Sequence, residues 1–570
     1  MARRIRWQIL VTIVSLALIF GLLGHLALST TAQGDPVAGG TYAEALVGQV
    51  ADLNPLRGAL LSRPEADLTA LIFEGLTRVE TTGIIAPSLA SAWETDSTEK
   101  AYTVTLRPDI AWHDGKPFSA EDVAWTVNWV KSPGFTGDPA LQAVWSSVFV
   151  TVLDPTTVRF DLPAPFAPFA NQLSMPILPA HLLQPADAAG WAAFGRKPVG
   201  TGAYSLALLE PDRAELAKNT AYRTASAPAQ PIEAGQPNLD RLIFRFYPTF
   251  EEAQLALRRG DVQSLAFNVT EQGEQVLPAD HQRVRAPLAD YTVLTFNLRA
   301  APLDDLKLRQ ALSYAISQEQ VIERALGGRA LPLQTPILPS SWAATDGLAG
   351  YRDTPERAAA NRLLDEAGWQ RDAAGVRSRN GQPLRLSLVT SDSTERQAVA
   401  AELIEQLRLV GVEVQLEAVP GDQLSARLSG HQFNLALHGW SNLGSDPDVY
   451  ELWHSSQADA ANFAGLADER IDELLVEARQ VASLETRASL YQEFQERWLS
   501  LAPSVVLYQP LLEQQLADNI QVLGLSPQAS ESEVLYSRSD RFRRLANWYE
   551  VTTRQIRPNL RQDPPAQRPR

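Results

Sequence analysis

A chain of 570 residues is longer than one hydrophobic core can serve, since single cores stop growing near ~250–300 residues, so several domains are expected. Its composition, 45% hydrophobic and 20% charged with 13 Trp, is globular, and its lack of cysteine excludes disulfides, thiolate metal sites, cysteine nucleophiles and a lipid-bearing N-terminal cysteine. Asp and Glu outnumber Lys and Arg by 66 to 50, and the net charge of −16 sets the surface against nucleic-acid phosphates.

Arg3, Arg4 and Arg6 precede an uncharged stretch from Trp7 to Gly34, apolar between Ile9 and Leu28 except for Thr12, Ser15 and His25. A basic flank, an apolar run and then small residues (Ser29-Thr30-Thr31-Ala32) form the pattern of an export signal, with Thr30-Thr31-Ala32 as a cleavage site. A run of about 20 residues is also long enough to stay as a membrane anchor. In both cases the residues after Asp35 belong outside the cytoplasm, because the positive flank stays inside.

Beyond this segment strand and helix patterns alternate. Tyr102 to Leu106 alternates as a strand, Asp109 to Lys116 is rich in turns, and Ser119 is placed to cap a helix whose first turn holds Glu121 and Asp122 and whose apolar face carries Val123, Val127 and Val130. Thr157 to Leu162 reads as a strand, and Ala225 to Asn238 as a Pro/Ala/Gln-rich surface loop. Tyr291 to Leu298 reads as a strand, Leu306 to Ala325 as one helix stopped by Gly327-Gly328, and Pro355 to Ala367 as a helix stopped by Gly368. Leu384 to Thr390, Thr394 to Val410 and Val412 to Ala418 form a strand–helix–strand unit, the signature of a parallel-sheet α/β lobe. Phe433 to Leu437 reads as a short buried strand, and the Pro/Arg/Gln-rich end from Gln555 to Arg570 as a disordered tail. Crossovers between two lobes fit best near Arg285 to Tyr291 and near Ala502 to Gln509.

Short motifs accumulate in one order: Gly39-Gly40-Thr41-Tyr42, Leu53-Asn54-Pro55-Leu56, Phe73-Glu74-Gly75-Leu76 and Pro87-Ser88-Leu89-Ala90, then the block Trp112-His113-Asp114-Gly115-Lys116-Pro117-Phe118-Ser119-Ala120-Glu121-Asp122-Val123. Pro198-Val199-Gly200-Thr201-Gly202, Phe296-Asn297, Leu308-Arg309-Gln310-Ala311-Leu312, Ala367-Gly368-Trp369 and Gly439-Trp440 leading to Asp446-Pro447-Asp448 follow. The series, from about Gly39 to Gln509, resembles the peptide/nickel-type (family 5) extracellular solute-binding proteins of ABC importers, which include oligopeptide- and dipeptide-binding proteins. The resemblance implies an α/β, two-lobed periplasmic-binding-protein-like fold of type II, with an extra subdomain and two interlobe crossovers. Laid on this chain it gives an export segment at 1–34, lobe I at 35–288 with the subdomain at about 56–190, lobe II at 289–503, a return to lobe I at 504–552 and a tail at 553–570. It also implies a peptide or small-molecule ligand in the interlobe cleft, ABC permease subunits as partners, no cofactor and a monomer.

For the ligand, Trp440 is the first candidate: it follows a strand and opens a Gly/Ser/Asn/Asp-rich loop, and the resemblance puts that loop on the cleft wall with Ser441, Asn442 and Leu443. Gln49 and Val50, after the first strand, align with cleft-lining backbone, and Asn297 ends the first lobe II strand. Asp446-Pro447-Asp448 reads first as a turn, with Asp446 kept among the ligand-binding candidates. In the peptide-binding relatives an aspartate three residues after this tryptophan pairs with the ligand's α-ammonium. Leu443 stands there, and Ser391, with Arg396 a few residues on, stands near the relatives' carboxylate-holding arginine, so the ligand is not expected to be a free dipeptide.

His113, Asp114, Glu121 and Asp122 tempt a catalytic or metal reading, but Asp114-Gly115 makes a turn and Ser119 a cap, so the block reads as fold signature. The histidines show no metal-ligand spacing, and no nucleophile motif appears around Gly439-Trp440-Ser441. No enzyme activity is expected. The competing readings are a membrane-anchored sensor or scaffold, and an oligosaccharide- or metal-complex-binding member of the same family.

Overall fold

One strand of 14 residues, Ser504–Ala517, is buried along almost its whole length, and the main sheet is built around it. The computed structural model describes residues 39–551 apart from 81–82, 223–236, 346, 349–355, 374, 523–533, 544 and 546–547, together with 15–16, 18–23, 32–34 and 554–556. Most of the export segment, nearly all of the 225–238 loop and the tail after 556 lie outside the described residues. Arg554–Ile556, expected in the tail, instead pairs antiparallel with Ala32–Gly34.

The strand Ser504–Ala517 joins two halves of the sheet. Residues 504–508 pair with Tyr291–Phe296 and residues 511–517 with His281–Pro287, while residues 512–516 also take Ser264–Asn268 as a neighbour. The chain thus passes between the halves twice, at residues 288–290 and at residues 508–511, which gives the two-lobed α/β fold with two crossovers. Outward from the long strand on one side run Tyr291–Phe296, Leu435–Trp440, Arg385–Ser391 and Glu413–Val419; on the other run Ser264–Asn268, Thr41–Val47, Arg241–Tyr247, Arg213–Lys218 and Tyr204–Leu209. Glu513, fully buried on the long strand, is held by Arg285, whose Nε donates to it at 2.8 Å.

Each half is sealed on both faces, which is why several strands read as unbroken apolar runs rather than alternating ones. All six residues of Tyr291–Phe296 are buried. Leu294 and Phe296 pack with Leu312, Val321 and Leu403 of three helices, while Tyr291 and Val293 pack with Leu475, Phe494 and Trp498 of the helices Glu469–Gln480 and Leu484–Leu501. In the other half Tyr42 and Leu46 face Leu68, Leu71 and Ile72 of the helix Arg63–Ile72, and Ala45 faces Ala253 and Leu257 of Phe250–Arg259.

A four-stranded antiparallel sheet, Ala90–Thr95, Ala101–Leu106, Thr157–Asp161 and Phe149–Asp154, forms the extra subdomain. The Trp112–Val123 block locks it together. The Asp122 carboxylate accepts the Ser119 and Ala180 amides, each at 3.0 Å, and the Trp112 indole at 3.3 Å. His113 takes the Gly200 amide on Nδ1 at 3.2 Å and bonds the Gly202 carbonyl through Nε2 at 3.0 Å, so its ring joins two loops of one lobe.

Two further elements differ from expectation. The stretch 306–325 is two helices, Leu306–Ala315 and Gln318–Leu326, because the Ser317 hydroxyl caps the second by accepting the Gln320 amide at 3.1 Å. The strand expected at 433–437 runs Leu435–Trp440, so Trp440 closes the strand instead of following it.

Candidate ligand-binding cleft

The lobe I wall is set by the end of Thr41–Val47. Gly48 follows with φ +120°, a left-handed turn that a side chain resists. The loop behind it is fastened by Glu65, whose carboxylate accepts the Ala51, Asp52 and Ser62 amides at 2.8, 2.9 and 2.8 Å. Burial works against that charge, but these three amides hold the carboxyl below its usual range. Because Ser62 and Glu65 also form a capping box, the start of the helix Arg63–Ile72, and Arg63 with it, is fixed to the same wall.

A cavity of about 340 Å³ opens beside this wall. Leu46, Val47, Arg63, Phe267 and Gln272 line it from lobe I, Asp290 from the first crossover, Ser441 and Asn442 from lobe II, and Ser537, Arg538, Ser539 and Arg541 from the segment that returns to lobe I. Asn442 adopts φ 55°, a conformation asparagine tolerates better than most residues, and its amide donates to the Asp290 carboxylate at 2.8 Å. Burial pushes the Asp290 carboxyl up, opposed by that hydrogen bond. Arg541 anchors the floor: its guanidinium reaches Glu44 at 2.8 Å and Asp67 at 2.6 Å, and these carboxylates outweigh burial to raise its pKa.

The lobes also touch at the far side of the cleft. The Asn171 amide donates to the Ser445 hydroxyl at 2.7 Å, the Ala167 N–H to the Arg479 carbonyl at 2.7 Å, and the Ala482 N–H to the Glu99 carboxylate at 3.0 Å. These contacts join the subdomain to lobe II.

Of the residues expected at the ligand, Ser441 and Asn442 line the cavity. Trp440 is half-buried at the strand end and stacks on Phe463 at 5.0 Å and 12°. Leu443 packs against the lobe II core while its amide bonds the Ala289 carbonyl at 2.9 Å. Gln49 is exposed and its carbonyl accepts the Ser62 hydroxyl at 3.1 Å; Val50 is half-buried with its carbonyl 3.4 Å from Arg196. Asn297 is 2% exposed and uses its side-chain amide on the His431 and Phe433 carbonyls at 2.9 and 2.8 Å, a backbone-bracing role. Asp446 is engaged by Arg487 at 2.6 Å. Arg396 donates to the Thr292 hydroxyl at 2.8 Å, which braces it against lobe II strands.

Arg63, Asp290 and Arg538 escaped sequence reasoning. A signal existed for Asp290, a lone charge in the apolar crossover Leu288-Ala289-Asp290-Tyr291; Arg538 had none, because its place depends on how the return segment folds back.

Two α/β halves joined by two short crossings, with a cavity lined from both, have the architecture of a two-lobed solute-binding protein. The chain matches the bacterial extracellular solute-binding proteins, family 5 (middle region), over residues 85–462, and it belongs to that family. It is 26% identical over 470 residues to the nickel-binding periplasmic protein of Escherichia coli, covering 78% of this chain and 85% of that one. It is 25% identical over 505 residues to the oligopeptide-binding protein AppA of Bacillus subtilis, covering 86% and 89%. In fold it is similar to the crystal structure of the ABC transporter substrate-binding protein CtaP of Listeria monocytogenes, with a TM-score of 0.73, 23% identity, and 90% and 100% of the two chains covered. Family 5 proteins capture solutes for ABC importers outside the cytoplasm.

Proposed function

We propose that this chain is the receptor of an ABC importer that closes its lobes over a small polar solute and presents the closed form to permease subunits. The observation that carries this reading is the cavity lined at once by lobe I, the first crossover, lobe II and the return segment. Ligand contacts available only when Ser441 and Asn442 meet the lobe I wall favour the closed state, and that difference in contacts is the whole driving force for closure. The family supplies the partner, while the relatives named for nickel and oligopeptides bracket the solute class. Leu443 is half-buried against the lobe II core at the position where the resemblance to peptide-binding proteins implies an ammonium-pairing aspartate, which supports a solute other than a free dipeptide.

We read the protein as a monomer that binds without turnover and has no nucleic-acid partner, with lobe I at 35–288 and 504–552, lobe II at 289–503, and residues 1–34 as export signal or tether. The pairing of 504–508 with lobe II and of 511–517 with lobe I supports moving the return crossing from 503/504 to about 508–511, inside that strand. The test is native mass spectrometry of freshly purified protein, followed by X-ray scattering with and without the recovered solute. Compaction on adding it supports the reading; an unchanged scattering profile with the solute bound, or chemical conversion of the solute, refutes it.

A further inference from the structure

Three arginines, Arg63, Arg538 and Arg541, line the cavity together with Asp67 and Asp290, and they are not equally engaged. Arg63 begins a helix that the Ser62–Glu65 capping box fixes in place, and Arg538 comes from the return segment 475 positions later in the sequence. Among the described residues the two guanidiniums share one carboxylate, Glu271, at 3.3 Å from Arg63 and 3.6 Å from Arg538. Arg541 beside them is different, because Glu44 and Asp67 engage it from two sides and its Nη1 donates to the Arg538 carbonyl at 2.8 Å. Asp290 uses one oxygen on the Asn442 amide at 2.8 Å. The Arg63 and Arg538 side chains keep 56% and 24% of their surface, so both are reachable from the cavity they line.

We propose that the cleft selects a solute carrying an oxyanion group, a carboxylate or a phosphate, gripped jointly by Arg63 and Arg538, while Ser441 and Asn442 close on the rest of the molecule. The proposal rests on the reading of the cavity as the solute site and names the chemistry it accepts. Guanidinium is planar, stays charged and presents paired donors that match the oxygens of such a group. Two like charges held together in a recess are costly when empty. Burial pulls the Arg538 pKa down and Arg63 pulls it further, and Glu271, Asp290 and Asp67 offset this only in part. An anion relieves that repulsion. Both arginines belong to the lobe I side, so an acid can dock on the open protein first, and the hydroxyl of Ser441 and the amide of Asn442 reach it as lobe II swings in.

The test uses the full chain, stripped of solute by unfolding and refolded, with four probes: succinate, inorganic phosphate, the neutral diamide succinamide and the diamine putrescine. Thermal unfolding and calorimetric titration are expected to show binding by succinate or phosphate and none by succinamide or putrescine, and the two acids tell a carboxylate site from a phosphate site. Arg63→Gln and Arg538→Gln should each weaken acid binding at least tenfold, Arg538→Lys less so, and Arg385→Gln, on an exposed lobe II pair with Glu413, not at all. Because Arg538→Lys keeps the charge, it separates loss of folding from loss of the anion site. Equal binding of succinamide, no binding by either acid, or wild-type affinity in both glutamine variants overturns the proposal. A neutral solute recovered from the purified protein that compacts it in scattering overturns the oxyanion proposal while leaving the receptor reading intact.

Discussion

Asp446 offers a direct trial of whether the loop after Trp440 is ligand surface or framework. Arg487 grips it through two nitrogens at 2.8 and 2.6 Å and donates its Nε to the Ala478 carbonyl at 2.8 Å. The side chains are 3% and 10% exposed, and the guanidinium lies over the Trp342 ring at 4.9 Å. Asp446→Asn keeps the shape but strands a buried cation, and breaking such a pair costs about 3–5 kcal/mol. A cooperative unit of the size of one lobe shifts by roughly 2–4 °C per kcal/mol, so the melting temperature should fall by about 6–20 °C. Differential scanning calorimetry measures the shift, and titration with the recovered solute, well below the transition, should show unchanged affinity. The double change Asp446→Leu with Arg487→Met should regain much of the loss, since an apolar pair replaces a buried ionic one at little cost. A melting temperature within ~2 °C of wild type, together with a large loss of affinity, would place Asp446 at the ligand and refute the framework assignment.

Three further outcomes follow from the geometry. His438 is 5% exposed, its Nε2 lies 2.9 Å from the Thr295 hydroxyl, and burial with help from Arg396 pushes its pKa from 6.5 down to about 3. Only the unfolded chain takes up that proton between about pH 6.5 and 3, so stability falls as pH drops through the window, by up to about 1.4 kcal/mol per unit; His438→Gln should flatten that slope in urea titrations at stepped pH, and an unaltered slope rules this imidazole out as its source. Asn171→Ala with Ser445→Ala removes one hydrogen bond between the subdomain and lobe II, worth about 1 kcal/mol; if lobe closure makes this contact, solute should bind roughly fivefold more weakly while the melting temperature of solute-free protein stays put. Asp122→Ala orphans the Ser119 and Ala180 amides and the Trp112 indole, and should cost about 3 kcal/mol or more in urea unfolding; a loss near zero would return the block to the catalytic candidates.

The fold was largely legible in the chain because its signals are local. Ser119 with acidic residues behind it marked a helix start, Gly411 marked the stop of Thr394–Leu409, and the strand–helix–strand unit around them fixed a parallel pair. Where a local signal was read too generously it failed: Ser317 lies in an apolar periodicity that runs on past it, yet its hydroxyl turns the chain and splits the helix. The cleft was legible only in part. Ser441 and Asn442 could be placed because they follow a strand end, but Asn297, at a similar strand end, points its amide at two carbonyls of its own lobe. Arg63 and Arg538 meet through a return path of several hundred residues, and no periodicity or spacing encodes such a meeting.

The shared strand also dictates the order in which the molecule can be assembled. Ser264–Asn268 has its partner at residues 512–516, so on a growing or translocating chain that edge stays bare until the last tenth of the sequence arrives. The inserted half is complete, apart from residues 504–508 of the same strand, well before the half that encloses it. An unpaired edge invites association with other chains, so a truncation just before Ser504 should yield aggregates rather than a smaller receptor.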